Sequence, residues 1–225
     1  MCLFGGAWAL CHACFAGGLP SGVSAVKTEP SQQVLERLDP SSADWGRVFE
    51  KIPERERAAF AFHISGASFG AVAIRGDSAE IVLEPEDRGV ESFRAEIPAG
   101  LARTVSEVFL AECSGAETGV LDLGFDGRVF SAFSKGAGGL WSGGKVWSPS
   151  VSSPRLLALS KIMRGLAFYA ENSSESAGSN ADTKADCARV LAYVERLALE
   201  MRSGKIAGGR PQLGELMDLG DFREP

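Results

Sequence analysis

Short runs of alternating apolar and small or polar residues, joined by tight turn signals, most constrain the fold of this chain. Residues 60–64, 69–75 and 79–83 form three such runs, and Gly76-Asp77-Ser78 separates the last two. Residues 90–97 form a weaker fourth run. A period of two is typical of strands with one buried face. Strands joined by such short connections pair antiparallel, so this region predicts a β-meander.

A second group of strands is predicted after residue 119. Asp126-Gly127 lies between the apolar runs 120–125 and 128–133, and glycine tolerates the positive φ that a two-residue hairpin turn requires. A further hairpin is predicted to turn at Gly143-Gly144, which Trp141 and Trp147 flank.

Helical periods of three and four residues separate and follow these strands. Ser153 followed by Pro154 is a typical helix start. The predicted helices cover a short stretch around 34–38, a helix from Ser41 or Ser42 to Ile52, and helices over 98–112, 154–170 and 183–202, the last ended by Gly204. The sequence therefore predicts an α+β fold. In this fold a mostly antiparallel sheet of about five to seven strands, in two meander groups, packs against two to four helices.

The first part of the chain differs from the rest, because residues 1–26 contain no Asp, Glu, Lys or Arg. We interpret residues 1–25 as a signal peptide or apolar leader, although no basic stretch precedes its apolar run. The run is too short and too rich in glycine for a stable membrane span. Residues 26–204 are then expected to form a single domain with a linker at about 171–182, followed by a tail over 205–225. A leader of this kind predicts a periplasmic or extracellular location.

Removal of the leader would leave two cysteines, Cys113 and Cys187. An even pair in an oxidising compartment predicts a disulfide. The bridge would close a loop of about 75 residues and contribute on the order of 4 kcal/mol. Two buried free thiols that behave as small apolar side chains are the alternative.

Charge and histidine content exclude several classes of function. The net charge of −6 is not typical of a nucleic-acid-binding protein. Without the leader His63 is the only histidine, so a zinc site built on several imidazoles is excluded, and no cofactor is predicted. The Cys11-His12-Ala13-Cys14 cluster lies inside the leader and is read as an accident.

Three short motifs invite a functional reading. Residues 66–70 match G-x-S-x-G, the serine elbow of α/β-hydrolases, which would make Ser68, His63 and Asp77 a candidate catalytic set. A strand is predicted after Ser68 where the elbow needs a helix, so a hairpin is favoured. Residues 139–146 nearly match a phosphate-binding loop but end in Val146, which cannot bind magnesium. The acidic residues of 84–91 are interpreted as a solvated run of charge.

The glycine-rich segment 135–147 suggests a contact surface, because tryptophan is enriched at binding hot spots. Trp141, Lys145 and Trp147 are its candidate binding residues, and tryptophans packed on the core are the alternative. The favoured function is an exported, non-enzymatic accessory or interaction domain with an unknown protein partner. An envelope hydrolase that uses Ser68 and His63 is one alternative. A carrier with an apolar pocket between sheet and helices for a small ligand is the other.

Overall fold

The fold is known from a computed structural model, which describes residues 33–87, 89–118, 127–149, 153–173 and 181–206. These residues contain one antiparallel sheet of seven strands and four helices, which confirms the predicted α+β class. The leader of residues 1–25, the strand over 120–125 and nearly all of the tail lie outside the described residues.

All neighbouring strands of the sheet pair antiparallel, in the order β1-β7-β6-β2-β3-β4-β5. The pairing of β2 with β6 joins a meander of β2 to β5 to a hairpin of β6 and β7. The first group matches the predicted meander of residues 60–97, and the second contains the predicted strand 128–133 as β6. The strands are β1 (Glu36–Arg37), β2 (Phe60–Ile64), β3 (Ser68–Arg75), β4 (Ser78–Pro85), β5 (Phe93–Pro98), β6 (Val129–Lys135) and β7 (Trp141–Trp147).

The helices lie near their predicted positions. The Ser42 hydroxyl accepts a hydrogen bond from the Trp45 backbone N–H at 3.1 Å, which explains why the first helix begins there. Gly204 has a φ of 72° and follows the last helix, as a C-terminal glycine does. The helices are α1 (Ala43–Phe49), α2 (Ala99–Ser114), α3 (Pro154–Ser173) and α4 (Ala181–Arg202).

The sheet separates two apolar cores of unequal size. On one face, α2 and α3 cover the strands and α4 packs against both helices; we call this the helix-layer face. Phe60, Phe62 and Ile64 of β2 point into that core. The other face, which we call the α1 face, carries a smaller core. Trp45 of α1 and Phe133 of β6 meet there edge to face, with ring centroids 5.3 Å apart.

Two predicted elements are wrong. Residues around Val34–Leu38 do not form a helix, because Glu36 and Arg37 pair with β7 as the edge strand β1. The hairpin at Gly143-Gly144 is also absent, since both glycines lie inside β7. A Cβ on Gly143 would lie 2.6 Å from Phe133 Cδ1, and one on Gly144 would lie 3.0 Å from Leu35 Cβ. These glycines therefore allow close packing on both faces of the strand.

The predicted disulfide is wrong as well, because Cys113 and Cys187 are both free and buried. Arg155 binds Glu112 and also donates to the carbonyl of Met201, so the end of α2 that carries Cys113 lies beside the end of α4. Cys187 precedes Met201 on the same helix by a distance of roughly 20 Å at 1.5 Å per residue. A disulfide needs Cα atoms within about 7 Å of each other.

We predict that Cys113 resists alkylation in the folded protein. Burial raises the pKa of this thiol to about 12, and its Sγ donates a hydrogen bond to the Ala132 carbonyl. The nucleophilic thiolate is therefore scarce at pH 8. Iodoacetamide labelling read by mass spectrometry should show Cys113 protected in buffer and labelled in guanidinium. Equal labelling in both conditions, or a Cys113–Cys187 cross-linked peptide without reduction, would contradict the structure.

We also predict that Gly70→Ala destabilises the fold. A Cβ there would overlap the ring of Phe62, which is fully buried on the neighbouring strand, so β3 or the ring must shift. Such overpacking costs about 1–3 kcal/mol. Gly100→Ala is the matched control, because nothing lies within 4 Å of the added atom in α2. Its free energy of unfolding should rise by roughly 0.5–1 kcal/mol. Urea unfolding of both variants measures the difference, and equal stabilities would show that Phe62 does not rest on Gly70.

Candidate functional site

A row of side chains crosses the α1 face of the sheet, and strand register builds it. Lys145 of β7 pairs with Ser131 of β6, and Ser131 pairs with His63 of β2. His63 in turn pairs with Phe69 of β3. Residues directly opposite each other in an antiparallel sheet share a face, so four neighbouring strands bring these side chains together.

Helix α1 and the segment after it form the opposite wall of a cleft above this row. The cleft has a volume of about 410 Å³, which suits a small ligand. We call it the α1-face cleft. Its lining combines apolar, hydroxyl and charged side chains: Leu38, Asp44, Arg47, Val48, Lys51, His63, Ser65, Phe69, Glu86, Val129, Ser131 and Lys145.

His63 is the most unusual of these residues, because its side chain is only 8% exposed. The imidazole stacks on the ring of Phe69 with centroids 4.4 Å apart and planes 12° apart. Within the described part of the chain, neither ring nitrogen has a hydrogen-bond partner. A buried polar group without a partner costs about 1–3 kcal/mol.

Glu86 is the acidic neighbour of His63. Its Oε2 lies 3.5 Å from His63 Nε2 and accepts a hydrogen bond from the Gly66 backbone N–H at 2.5 Å. Burial lowers the pKa of His63 most; the charge of Glu86 and its weak hydrogen-bonding contact oppose that effect, while the positive charges of Lys51 and Arg47 lower the pKa further. The imidazole is therefore neutral at pH 7.

Lys145 lies at the other end of the row. Its ammonium donates a hydrogen bond to Asp44 Oδ2 at 2.9 Å and lies 3.9 Å from Glu36 Oε2. The hydrogen bond and charge of Lys145 hold the pKa of Asp44 below its usual value. The contact also ties α1 to β7, because Asp44 lies in the first turn of that helix.

The structure does not bring the candidate catalytic set of Ser68, His63 and Asp77 together. Ser68 pairs with Ile64, so its side chain is on the helix-layer face, whereas His63 is on the α1 face. Asp77 is in the turn between β3 and β4, at the other end of β3 from Ser68, and lies 3.7 Å from Arg103. The G-x-S-x-G pattern has a structural explanation: Gly66 has a φ of 70° in the β2–β3 turn, and Gly70 accommodates Phe62.

The three candidate binding residues are on one strand, at alternate positions of β7. Trp141 is half-buried, and its ring centroid lies 5.1 Å from that of Phe49, so it packs at the border of the smaller core. Trp147 is half-buried at the far end of the strand, opposite Val129. Lys145 lies between them and lines the cleft. The P-loop-like segment 139–146 therefore runs mostly along a strand instead of forming a loop at a helix start.

Sequence reasoning missed several residues of the cleft. Glu86 belonged to a charge run interpreted as solvated, yet it binds the Gly66 backbone and lies beside His63. Ser131 and Lys51 carried no motif. The alternation of residues in 128–133 could have placed Ser131 on one face of a strand, but it contains no information on which strand lies beside it.

No family model, curated protein or solved structure matches this chain. The described residues contain no group of three or more His, Cys, Asp or Glu side chains placed to hold a metal ion. None of the helices within those residues has both the length and the apolar character of a membrane span.

We predict that His63 makes the stability of the fold pH-dependent. The unfolded imidazole takes up a proton near pH 6.5, while the buried imidazole of the folded state remains neutral because its pKa is lowered. Stability is therefore fully present above pH 6.5 and falls as the pH is lowered towards the folded-state pKa. One proton gives a slope of at most about 1.4 kcal/mol per pH unit.

Urea unfolding of the wild-type protein and His63→Gln between pH 7.5 and 5.5 measures this contribution. The difference between the two curves isolates His63 from the carboxylates that also titrate at the acidic end. The wild-type protein should lose stability more steeply than the variant as the pH falls. Parallel curves would show that the folded and unfolded states bind protons at position 63 equally.

Proposed function

We propose that this chain is a binding protein that holds a small ligand in the α1-face cleft. The observation that carries the proposal is the His63 imidazole, which lines the cleft and has a side chain only 8% exposed. Neither ring nitrogen has a well-formed hydrogen bond among the described residues, and the nearest carboxylate oxygen, Glu86 Oε2, lies 3.5 Å from Nε2. A ligand that supplies a partner to this group recovers the cost of leaving it unpaired.

The composition of the cleft supports the proposal. Leu38, Val48 and Phe69 offer an apolar surface, while Ser131 and Lys145 offer polar groups beside it. Ligand sites typically combine a mainly apolar lining with a few placed polar groups. The cleft lies between one helix and the sheet, so the carrier expected from the sequence is the nearest of the three functional expectations.

The proposal keeps the binding role expected for Lys145, which lines the cleft, and assigns no direct ligand contact to Trp141 or Trp147, which do not line it. Trp141 packs against Phe49 of α1 and thereby supports the helix that forms one wall of the cleft. Export through the apolar leader remains part of the proposal, and only the sequence of residues 1–25 supports it.

A fragment titration tests the proposal. The probes are benzoate, benzamide, benzylamine, indole and glucose, and the readout is the imidazole carbon-bound proton resonance of His63 in NMR spectra. At least one probe should shift this resonance saturably. Val48→Trp should abolish the shift, because Val48 lines the cleft and the larger side chain fills it.

The matched control is Leu199→Trp, which adds the same ring at a position on α4 that is 41% exposed and does not line the cleft. This variant should bind as the wild-type protein does, and melting temperatures establish that both variants fold. If no probe moves the His63 resonance, or if Val48→Trp binds unchanged, the cleft is not a ligand site.

A further inference from the structure

The charges around the cleft define a class of ligand, an inference that rests on the proposed function. We propose that the ligand is a small apolar carboxylate, whose anionic group pairs with Lys51 at the cleft wall while its apolar body lies against Val48 and Phe69. The juxtaposition of an ammonium without a carboxylate partner and an apolar surface carries this inference.

Positive groups outnumber negative ones in the lining. Arg47, Lys51 and Lys145 are cationic, while Asp44 and Glu86 are the two carboxylates. Asp44 serves two cations at once, since its Oδ1 lies 2.6 Å from Arg47 and its Oδ2 lies 2.9 Å from Lys145. With a neutral imidazole, the lining residues carry one net positive charge, but Glu36 lies 3.9 Å from Lys145 and offsets part of it, so the positive charge that remains available lies at Lys51.

Glu86 does not pair with Lys51, because its position is fixed elsewhere. Its Oε2 accepts from the Gly66 backbone and lies beside His63. A carboxylate that already accepts a backbone hydrogen bond is held at the β2–β3 turn. Lys51 follows α1 on the opposite wall of the cleft.

Lys51 is the cation available to a ligand. Among the residues that the structure describes, no carboxylate lies within ion-pair distance of its ammonium. The ammonium instead lies 5.6 Å from the centroid of the Phe69 ring. This ring is also the one on which His63 stacks, so the charge is held beside the apolar lining of the cleft.

An apolar carboxylate matches both features. Its anionic group would pair with the exposed ammonium of Lys51, where solvent screens the attraction, so the charge adds modestly to what the apolar contact supplies. Its apolar body would cover Val48 and Phe69. A cationic ligand would be repelled by the ammonium of Lys51, and an inorganic anion would leave the apolar surface uncovered.

Three probes separate these contributions: benzoate, the neutral isostere benzamide, and acetate, which has the charge without the ring. Titrations followed at the His63 and Val48 resonances give the three dissociation constants. Benzoate should bind about threefold more tightly than benzamide, which corresponds to about 0.7 kcal/mol for an exposed ion pair, and it should also bind more tightly than acetate. Lys51→Gln should reduce benzoate affinity to that of benzamide, and Lys51→Arg should restore most of it.

Lys184→Gln on α4 is the matched control, because it removes one exposed lysine that does not line the cleft, and benzoate should bind it as tightly as the wild-type protein. Equal affinities for benzoate and benzamide, or an unchanged benzoate affinity in Lys51→Gln, would overturn the inference and leave the proposed function standing. Failure of every probe, charged or neutral, to move the His63 resonance would overturn both.

Discussion

The pairing of β2 with β6 is the contact on which the described fold depends. It joins the meander of β2 to β5 to the hairpin of β6 and β7, and all five residues of β2 are buried. Phe60, Phe62 and Ile64 enter the large core of the helix layer, while Ala61 and His63 face α1. A slip of one residue would exchange these two sets of side chains and place phenylalanine rings under a short helix. The large core therefore holds the register that positions His63.

The cleft follows from the difference between the two faces of the sheet. Two long helices cover one face, whereas α1 has seven residues and is therefore only about 10 Å long. A helix of that length covers the row of Ala61 and Phe133, and the row that contains Ser131 and His63 is left at its edge. The hydrogen bond between Lys145 and Asp44 holds α1 in this place. The same contact that attaches the helix therefore also bounds the cleft.

The features that could be predicted from the sequence are the local ones. Helix caps at Ser42 and Gly204, and the turn at Gly66, depend on residues close in sequence, and the structure has them where the sequence indicates. Glu36 lies in a strand because it pairs with β7, more than a hundred residues away in the sequence. Gly143 is required because the Phe133 ring packs against it. Neither propensity nor period contains such contacts. The cleft is of the second kind, because its polar side chains, Lys145, Ser131 and His63, come from three strands that are distant in sequence.

The buried polar side chains of Ser131 and His63 reduce the stability of the fold, and the packing of the sheet does not require them. Valine at the buried positions of Ser131 and His63 would suit these strands, would extend the apolar cluster around Phe69, and would leave no imidazole without a partner. Sequences depart from such local consistency mainly at functional sites, where stability is given up for recognition. Buried side-chain oxygens without a partner among the described residues also occur at Ser68 and Ser134, which face the helix layer. The row that contains His63 differs from them because it lies beside Lys51, the lysine of the lining without a carboxylate partner among the described residues, and beside the part of the sheet that α1 leaves open. The coincidence of an unpaired imidazole, an available lysine and an open part of the sheet supports the proposed binding site over a poorly packed edge of the core.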